Sequence, residues 1–151
     1  MSADIFIPAR TSGHGQFTVD IDHEKAGWGY SGLRVVELEA GASQALETGD
    51  SELLVLPLAG SATVNVDGRD YELAGRPGVF QAVTDYLYVG RGKELTITSA
   101  AGGRFAFPSA VATKDLPTAY YPKETVRIDL RGAGDCSRQV NNYCLAVEGV
   151  T

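Results

Sequence analysis

Apolar and polar residues alternate with a period of two along most of this chain, in short runs separated by glycine-rich turns. A period of two puts every second side chain on one face, so such runs predict half-buried strands. The clearest case is a hairpin. Ala62, Val64 and Val66 alternate with Thr63 and Asn65, Asp67-Gly68 follows, and Tyr71 and Leu73 alternate on the return. Asp-Gly supplies the two positive φ angles that a two-residue hairpin turn requires. Residues 53–58 are apolar on both faces, as in the middle strand of a sandwich, and Pro57 cannot donate to a ladder, so an edge or bulge lies close to it. Residues 33–39 read as a strand in which the doublet Val35-Val36 breaks the alternation and predicts a bulge, with Gly41 in the turn beyond. Further strands are expected at 86–89, at 95–98, around Phe105 and Phe107, and at 126–130. Between them lie turns at Arg76-Pro77-Gly78, Gly90-Arg91-Gly92 and Ala101-Gly102-Gly103. No stripe with helical period extends over ten residues. One helical turn near 114–116 is the most the pattern supports.

Short strands at this spacing predict an all-β sandwich or barrel of the jelly-roll kind with little helix. The length of 151 residues fits a single domain. It divides into an N-terminal arm (1–26), a strand-rich core (27–107) and a C-terminal segment (108–151) that wraps the sandwich, with Pro108, Pro117 and Pro122 spaced along it. An apolar content of 44% supports a packed core and excludes a disordered chain. The net charge of −6, with 13 Lys and Arg scattered among 19 Asp and Glu, argues against nucleic acid as a partner, because phosphate binding needs a clustered basic face. A small anion needs only one or two local arginines. The N-terminus carries no basic region followed by an apolar one, and residues 53–59 are too short to span a bilayer, so a cytoplasmic protein without membrane contact is expected. Cys136 and Cys144 fit no zinc spacing and read as free thiols.

Candidate chemistry is sparse. Gly41 and Gly60 bracket Glu47, Gly49 and Leu53, while Gly90-Arg91-Gly92 precedes Leu95. These spacings resemble the two cupin motifs, in which a His-x-His pair, a Glu and a third His aim into the barrel to hold a metal. Here the four ligand positions read Glu47, Gly49, Leu53 and Leu95, and one carboxylate cannot hold a catalytic metal. The two histidines, His14 and His23, read as loop and surface residues. Glu47, Asp50 and Glu52 read as a solvated loop rather than an acid–base cluster. No nucleophile elbow, Cys–His pair or phosphate-cradling loop occurs. No catalytic residue and no metal ligand is therefore assigned. Tyr71, Phe80, Tyr86, Tyr88, Phe105 and Phe107 read as core, with lining of a ligand-holding lumen as the alternative.

Three segments together resemble the 5-deoxy-glucuronate isomerase family: Gly27-Trp28-Gly29-Tyr30-Ser31-Gly32-Leu33, then Leu46-Glu47-Thr48-Gly49-Asp50-Ser51-Glu52, and Arg131-Gly132-Ala133-Gly134-Asp135-Cys136-Ser137-Arg138-Gln139-Val140. The resemblance implies a half of a bicupin about twice this length, which isomerises 5-deoxy-glucuronate to 5-dehydro-2-deoxygluconate in myo-inositol breakdown. In that family the metal-binding histidines lie in the second cupin, in a Trp-Ser-Ser-x-Pro-Pro-His-x-His-Asp motif that does not occur here. A divalent metal there polarises the substrate carbonyl while a carboxylate shuttles the proton through an enediol. The chain is thus expected to be the non-catalytic N-terminal half, with no cofactor of its own. Arg131 and Arg138 are its candidates for the substrate carboxylate, the plainer reading being ordinary surface contacts. Expected partners are the C-terminal cupin half, or a second copy in a dimer joined through the strand edge near 143–147, and a small sugar acid. The alternatives are a stand-alone degenerate cupin that binds a small sugar or metabolite, and a structural self-association domain.

Overall fold

The computed structural model describes residues 6–145. The strands are β1 (Phe17–Ile21), β2 (Ser31–Leu38), β3 (Ser43–Glu47), β4 (Ser51–Val66), β5 (Arg69–Arg76), β6 (Tyr86–Val89), β7 (Glu94–Thr98), β8 (Gly103–Val111), β9 (Ala119–Tyr121), β10 (Arg127–Arg131) and β11 (Arg138–Asn142). One short α-helix, α1 (His23–Ala26), joins β1 to β2, and single 3₁₀ turns lie at Lys123–Thr125 and Gly134–Cys136.

Strand β4 organises the rest. Residues 53–58 and 62–66, which the pattern separates into a core strand and a hairpin arm, form one continuous strand. It bends where its register shifts, between Pro57 and Ala59 against β8 and between Gly60 and Ala62 against β5. Pro57 thus lies beside a bulge, as its missing N–H requires. Before the bend β4 pairs with β8 and β6; beyond it β4 pairs with β5 and β7. Two layers result: β1-β2-β8-β4-β6-β9 and β3-β7-β4-β5. The hairpin turn is as expected, with Asp67 at φ 48 and Gly68 at φ 87, and the Asn65 side-chain carbonyl accepts from the Gly68 N–H at 3.0 Å.

Inward residues of both layers form one core. Val36, Val55, Val64, Leu87, Val89, Ile97, Phe105 and Phe107 have no exposed surface at all. Each buried side chain of this size contributes about 1.5–3 kcal/mol. The fold is an all-β jelly roll of the cupin kind.

Several local expectations are corrected. The N-terminal arm contains a strand, β1, whose Phe17 packs on the core. Strand β2 has no bulge. Val35 and Val36 are both buried and stay in unbroken register with β8, and the irregularity lies opposite them, between Phe17 and Val19 of β1. No helical turn forms at 114–116. The short helix is α1, closed at its start by Asp22, which accepts from the Lys25 N–H at 2.7 Å, and at its end by Gly27 in the left-handed region. Among the aromatics, Phe105 and Phe107 are core, whereas Phe80 is 98% exposed and belongs to neither core nor lumen. Tyr86 and Tyr88 are buried on the outer side of their sheet; Tyr86 stacks on Tyr121 with ring centroids 5.0 Å apart.

The C-terminal segment contributes two different kinds of strand. β9 adds a strand beside β6, while β10 and β11 form a separate two-stranded ladder that leaves Ile128 and Leu130 50% and 82% exposed. After the ladder, Tyr143 re-anchors the chain: its hydroxyl accepts from Arg76 Nη1 at 3.2 Å and from the Thr84 N–H at 3.3 Å. Residues 143–145 are not in a strand, and the remainder of the edge expected near 143–147 lies outside the described residues.

Two glycines separate steric from conformational constraint. Gly75 has φ +67 and a Cβ there would overlap the Gly60 carbonyl at the bend of β4, whereas Gly41 has φ +79 and open space around it. Gly41→Ala is expected to cost about 1 kcal/mol from backbone strain alone. Gly75→Ala is expected to cost about 3 kcal/mol or more, measured as the difference between their urea unfolding midpoints.

Candidate functional site

The core residues of four strands point inward, and following each strand outward by steps of two changes the chemistry. Phe107 of β8 is followed by Ser109, Leu53 of β4 is preceded by Ser51, and Val36 of β2 is preceded by Arg34 and Gly32. Asp20 of β1 stands opposite Arg34 in the ladder and so shares its face. The apolar interior therefore ends in a polar mouth. Together with Tyr30, Asp22 and His23 from the α1 region, these residues enclose a cavity of about 180 Å³. Gly32 allows the close approach that shapes it: a Cβ there would lie 2.9 Å from Ser109 Oγ and 3.0 Å from the Ile21 carbonyl oxygen.

Charge at the mouth is unevenly partnered. The carboxylates of Asp20 and Asp22 share Lys25, whose Nζ lies 3.9 and 3.8 Å away, and His14 Nδ1 is 3.7 Å from Asp20. Half-buried Arg34 donates once, from Nη2 to the Glu47 carbonyl at 3.3 Å, and its guanidinium lies 5.4 Å from the Phe17 ring centroid. Among the described residues it has no carboxylate partner. Nearby, the buried Thr48 hydroxyl donates to the Gly90 carbonyl at 2.9 Å and accepts from the Lys93 N–H at 2.8 Å, which staples the β3–β4 turn to the turn before β7.

The cupin ligand positions do not form a metal site. Glu47 is exposed at the end of β3, Gly49 occupies the turn, and Leu53 and Leu95 are packed into the core at 2% and 3% exposure. Among the described residues no three His, Cys, Asp or Glu side chains converge. The acidic run is dispersed too. Glu52 accepts the Tyr88 hydroxyl at 2.6 Å on the outer face, and Asp50 accepts from Ser51 at 3.2 Å. The Tyr88 phenol is raised well above its ordinary range by burial and by that hydrogen bond to Glu52.

Arg131 and Arg138 are brought together, as direct partners across the β10–β11 ladder, but on a hairpin groove with Leu130 and Ser137 rather than at the mouth. Arg131 donates to Asp129 at 3.1 Å and Arg138 to the Cys136 carbonyl at 3.2 Å. Hydrogen bonds from Arg127 and Arg131 hold the Asp129 carboxyl below its ordinary pKa. Cys136 and Cys144 are free and exposed.

A KduI/IolB family model matches residues 5–149 of the 151. The chain belongs to the KduI/IolB family. It is similar to the 5-deoxy-glucuronate isomerase of Geobacillus kaustophilus, with 28% identity over 140 residues that cover 91% of this chain and 51% of that protein. It is also similar to the 5-deoxy-glucuronate isomerase of Listeria innocua, with 30% identity over 135 residues that cover 87% of this chain and 49% of the relative. Among solved structures, the IolB-like protein of Salmonella typhimurium LT2 superimposes with a TM-score of 0.79 at 26% identity, over 87% of this chain and 51% of that one. The chain spans about half the length of the curated KduI/IolB relatives it matches.

Sequence reasoning missed the mouth. Its signal was available in the alternation: Ser109 and Ser51 continue the inward parity of Phe107 and Leu53.

A second cluster has a pH signature. Buried Asp85 accepts from the Ala74 and Gly75 N–H groups at 2.8 and 2.9 Å, from Thr84 Oγ1 at 3.2 Å and from the Tyr120 hydroxyl at 2.8 Å. Burial first, and then this bond to Asp85, push the Tyr120 phenol up to about 12. The unfolded chain ionises near the ordinary phenol value of about 10, so Tyr120's contribution is fully present below that pH and is lost as pH rises toward 12. Tyr120→Phe should therefore flatten the alkaline fall of the urea midpoint across that window without steepening it at neutral pH.

Proposed function

We propose that this chain is the non-catalytic, N-terminal jelly-roll half of a metal-dependent sugar-acid isomerase that converts 5-deoxy-glucuronate to 5-dehydro-2-deoxygluconate in myo-inositol breakdown. The observation that carries this reading is the apolar filling of the barrel where cupin ligands stand, Leu53 and Leu95 above all. Membership of the KduI/IolB family and the half-length match to proteins named 5-deoxy-glucuronate isomerase support the rest. The divalent metal of the reaction belongs, in this reading, to a second cupin half, because the residues present here do not fit one. This half supplies packing surface and substrate-facing cations. Arg131 and Arg138, exposed on a hairpin away from the core, suit contact with a sugar-acid carboxylate at the junction of the two halves. No helix among the described residues is long and apolar enough to cross a membrane, and we place the protein in the cytoplasm.

The exposed apolar side of that hairpin favours a second reading, self-association as a dimer. A two-stranded ladder is marginal alone in water, and Ile128 and Leu130 stand uncovered on it. The C-terminal half or a second copy would cover them.

The test is metal analysis of the purified 151-residue chain alongside an isomerase assay with 5-deoxy-glucuronate. The expected result is no stoichiometric metal and no turnover. Stoichiometric zinc, iron or manganese with turnover would overturn the proposal.

A further inference from the structure

We infer that the polar mouth of the barrel is a binding subsite for a small polyhydroxylated carboxylate, in which Arg34 takes the carboxylate. The choice of ligand class rests on the isomerase reading above, whereas the site rests on its own geometry. A guanidinium has five N–H donors in a planar fork, and Arg34 uses one of them, on the Glu47 carbonyl. Beyond that carbonyl and the Phe17 ring face, no group among the described residues replaces the hydration this half-buried cation has lost. A ligand carboxylate offers the bidentate bond that suits the fork.

The surroundings select against other ligands. The cavity, at about 180 Å³, is smaller than the usual range for drug-sized ligands, which limits its occupant to monosaccharide size or less. Asp20 and Asp22 share Lys25, so with Arg34 the mouth holds two negative and two positive groups and does not repel a single carboxylate. A phosphate dianion would meet two carboxylates with only one cation free to answer it. The ligand's hydroxyls have acceptors in Asp20 and Asp22, and the Ser109 hydroxyl lines the same pocket. At the rim the Tyr30 ring is 69% exposed and presents a face against which the C–H side of a sugar can pack. Tyr30 belongs to the Gly-Trp-Gly-Tyr-Ser-Gly segment that leads from the end of α1 into β2.

The experiment is an amide ¹H–¹⁵N titration of the full chain with D-glucuronate, and with D-glucose as the neutral comparator. The expected result is saturable shifts at residues 20–23, 30–34 and 109, with glucose at least ten-fold weaker. Arg34→Gln should weaken glucuronate binding at least ten-fold, with partial recovery in Arg34→Lys. If Arg34→Gln disturbs the fold through its contact with Phe17, Tyr30→Ala at the exposed rim carries the same test and should weaken both sugars. Saturable shifts confined to Arg131 and Arg138, with none at residues 20–23, 30–34 and 109, would overturn the site while leaving the isomerase reading intact. Equal binding of glucose would overturn the role of Arg34. No saturation by ~50 mM, equivalent to less than about 2 kcal/mol of binding, would overturn the subsite altogether. Metal-dependent turnover by this chain alone would remove the isomerase-half reading and not the subsite.

Discussion

The structure depends on one strand shared between two sheets. β4 runs from Ser51 to Val66, is hydrogen-bonded on both sides, and changes partners at the bend around Pro57 and Gly60. Its inward side chains before the bend, Leu53 and Val55, and after it, Ala62, Val64 and Val66, all enter the same core. The bend works because three unusual backbone positions meet there. Pro57 withholds a donor, Gly60 adopts φ +93, and Gly75 brings β5 against it where no Cβ fits. Arg76 locks the corner from the other side, donating to the Pro57 and Ala82 carbonyls at 2.9 and 3.0 Å although the residue is almost wholly buried. A buried cation held by carbonyls is strongly position-specific, since moving any partner leaves it unsatisfied.

This packing also divides the interior functionally. A barrel filled by leucine, valine and phenylalanine has no space or ligands for a metal at the positions where cupin chemistry resides. What remains is the end where the inward parity turns polar, at Ser51, Ser109, Arg34 and Asp20. The chain spans about half the length of its KduI/IolB relatives, and it combines a filled barrel with a hairpin on which Ile128 and Leu130 are exposed. The filled interior gives it stability, while the mouth leaves a polar pocket and the hairpin an exposed apolar side.

Much of the fold was legible in the sequence because strand alternation and turn chemistry are local. Asp67-Gly68, Pro57 and the runs at 86–89 and 95–98 behaved as their residue types require. The failures have two causes: dependence on partners distant in the chain, and local features too short to leave a periodic pattern. The Val35-Val36 doublet does mark an irregularity, but the extra residue sits in β1, which carries too weak an alternation to be recognised alone. α1 is a single turn, fixed by its Asp22 and Gly27 caps rather than by any stripe. Phe80 follows a Pro-Gly turn and projects to solvent, which composition alone cannot reveal. At the mouth only the parity of Ser51 and Ser109 was legible, since Asp20, Arg34, Ser51 and Ser109 meet only once β1, β2, β4 and β8 are in register.

Native-state amide hydrogen exchange tests the central claim, that β4 makes the two sheets one cooperative unit closed around a filled interior. The account predicts that protected amides from Leu53 to Val66, on both sides of the bend, share the highest opening free energy in the chain, while those of β10 and β11 exchange by a much cheaper local opening. Two distinct free energies for the segments before and after the bend would contradict it, because the sheets would then open independently.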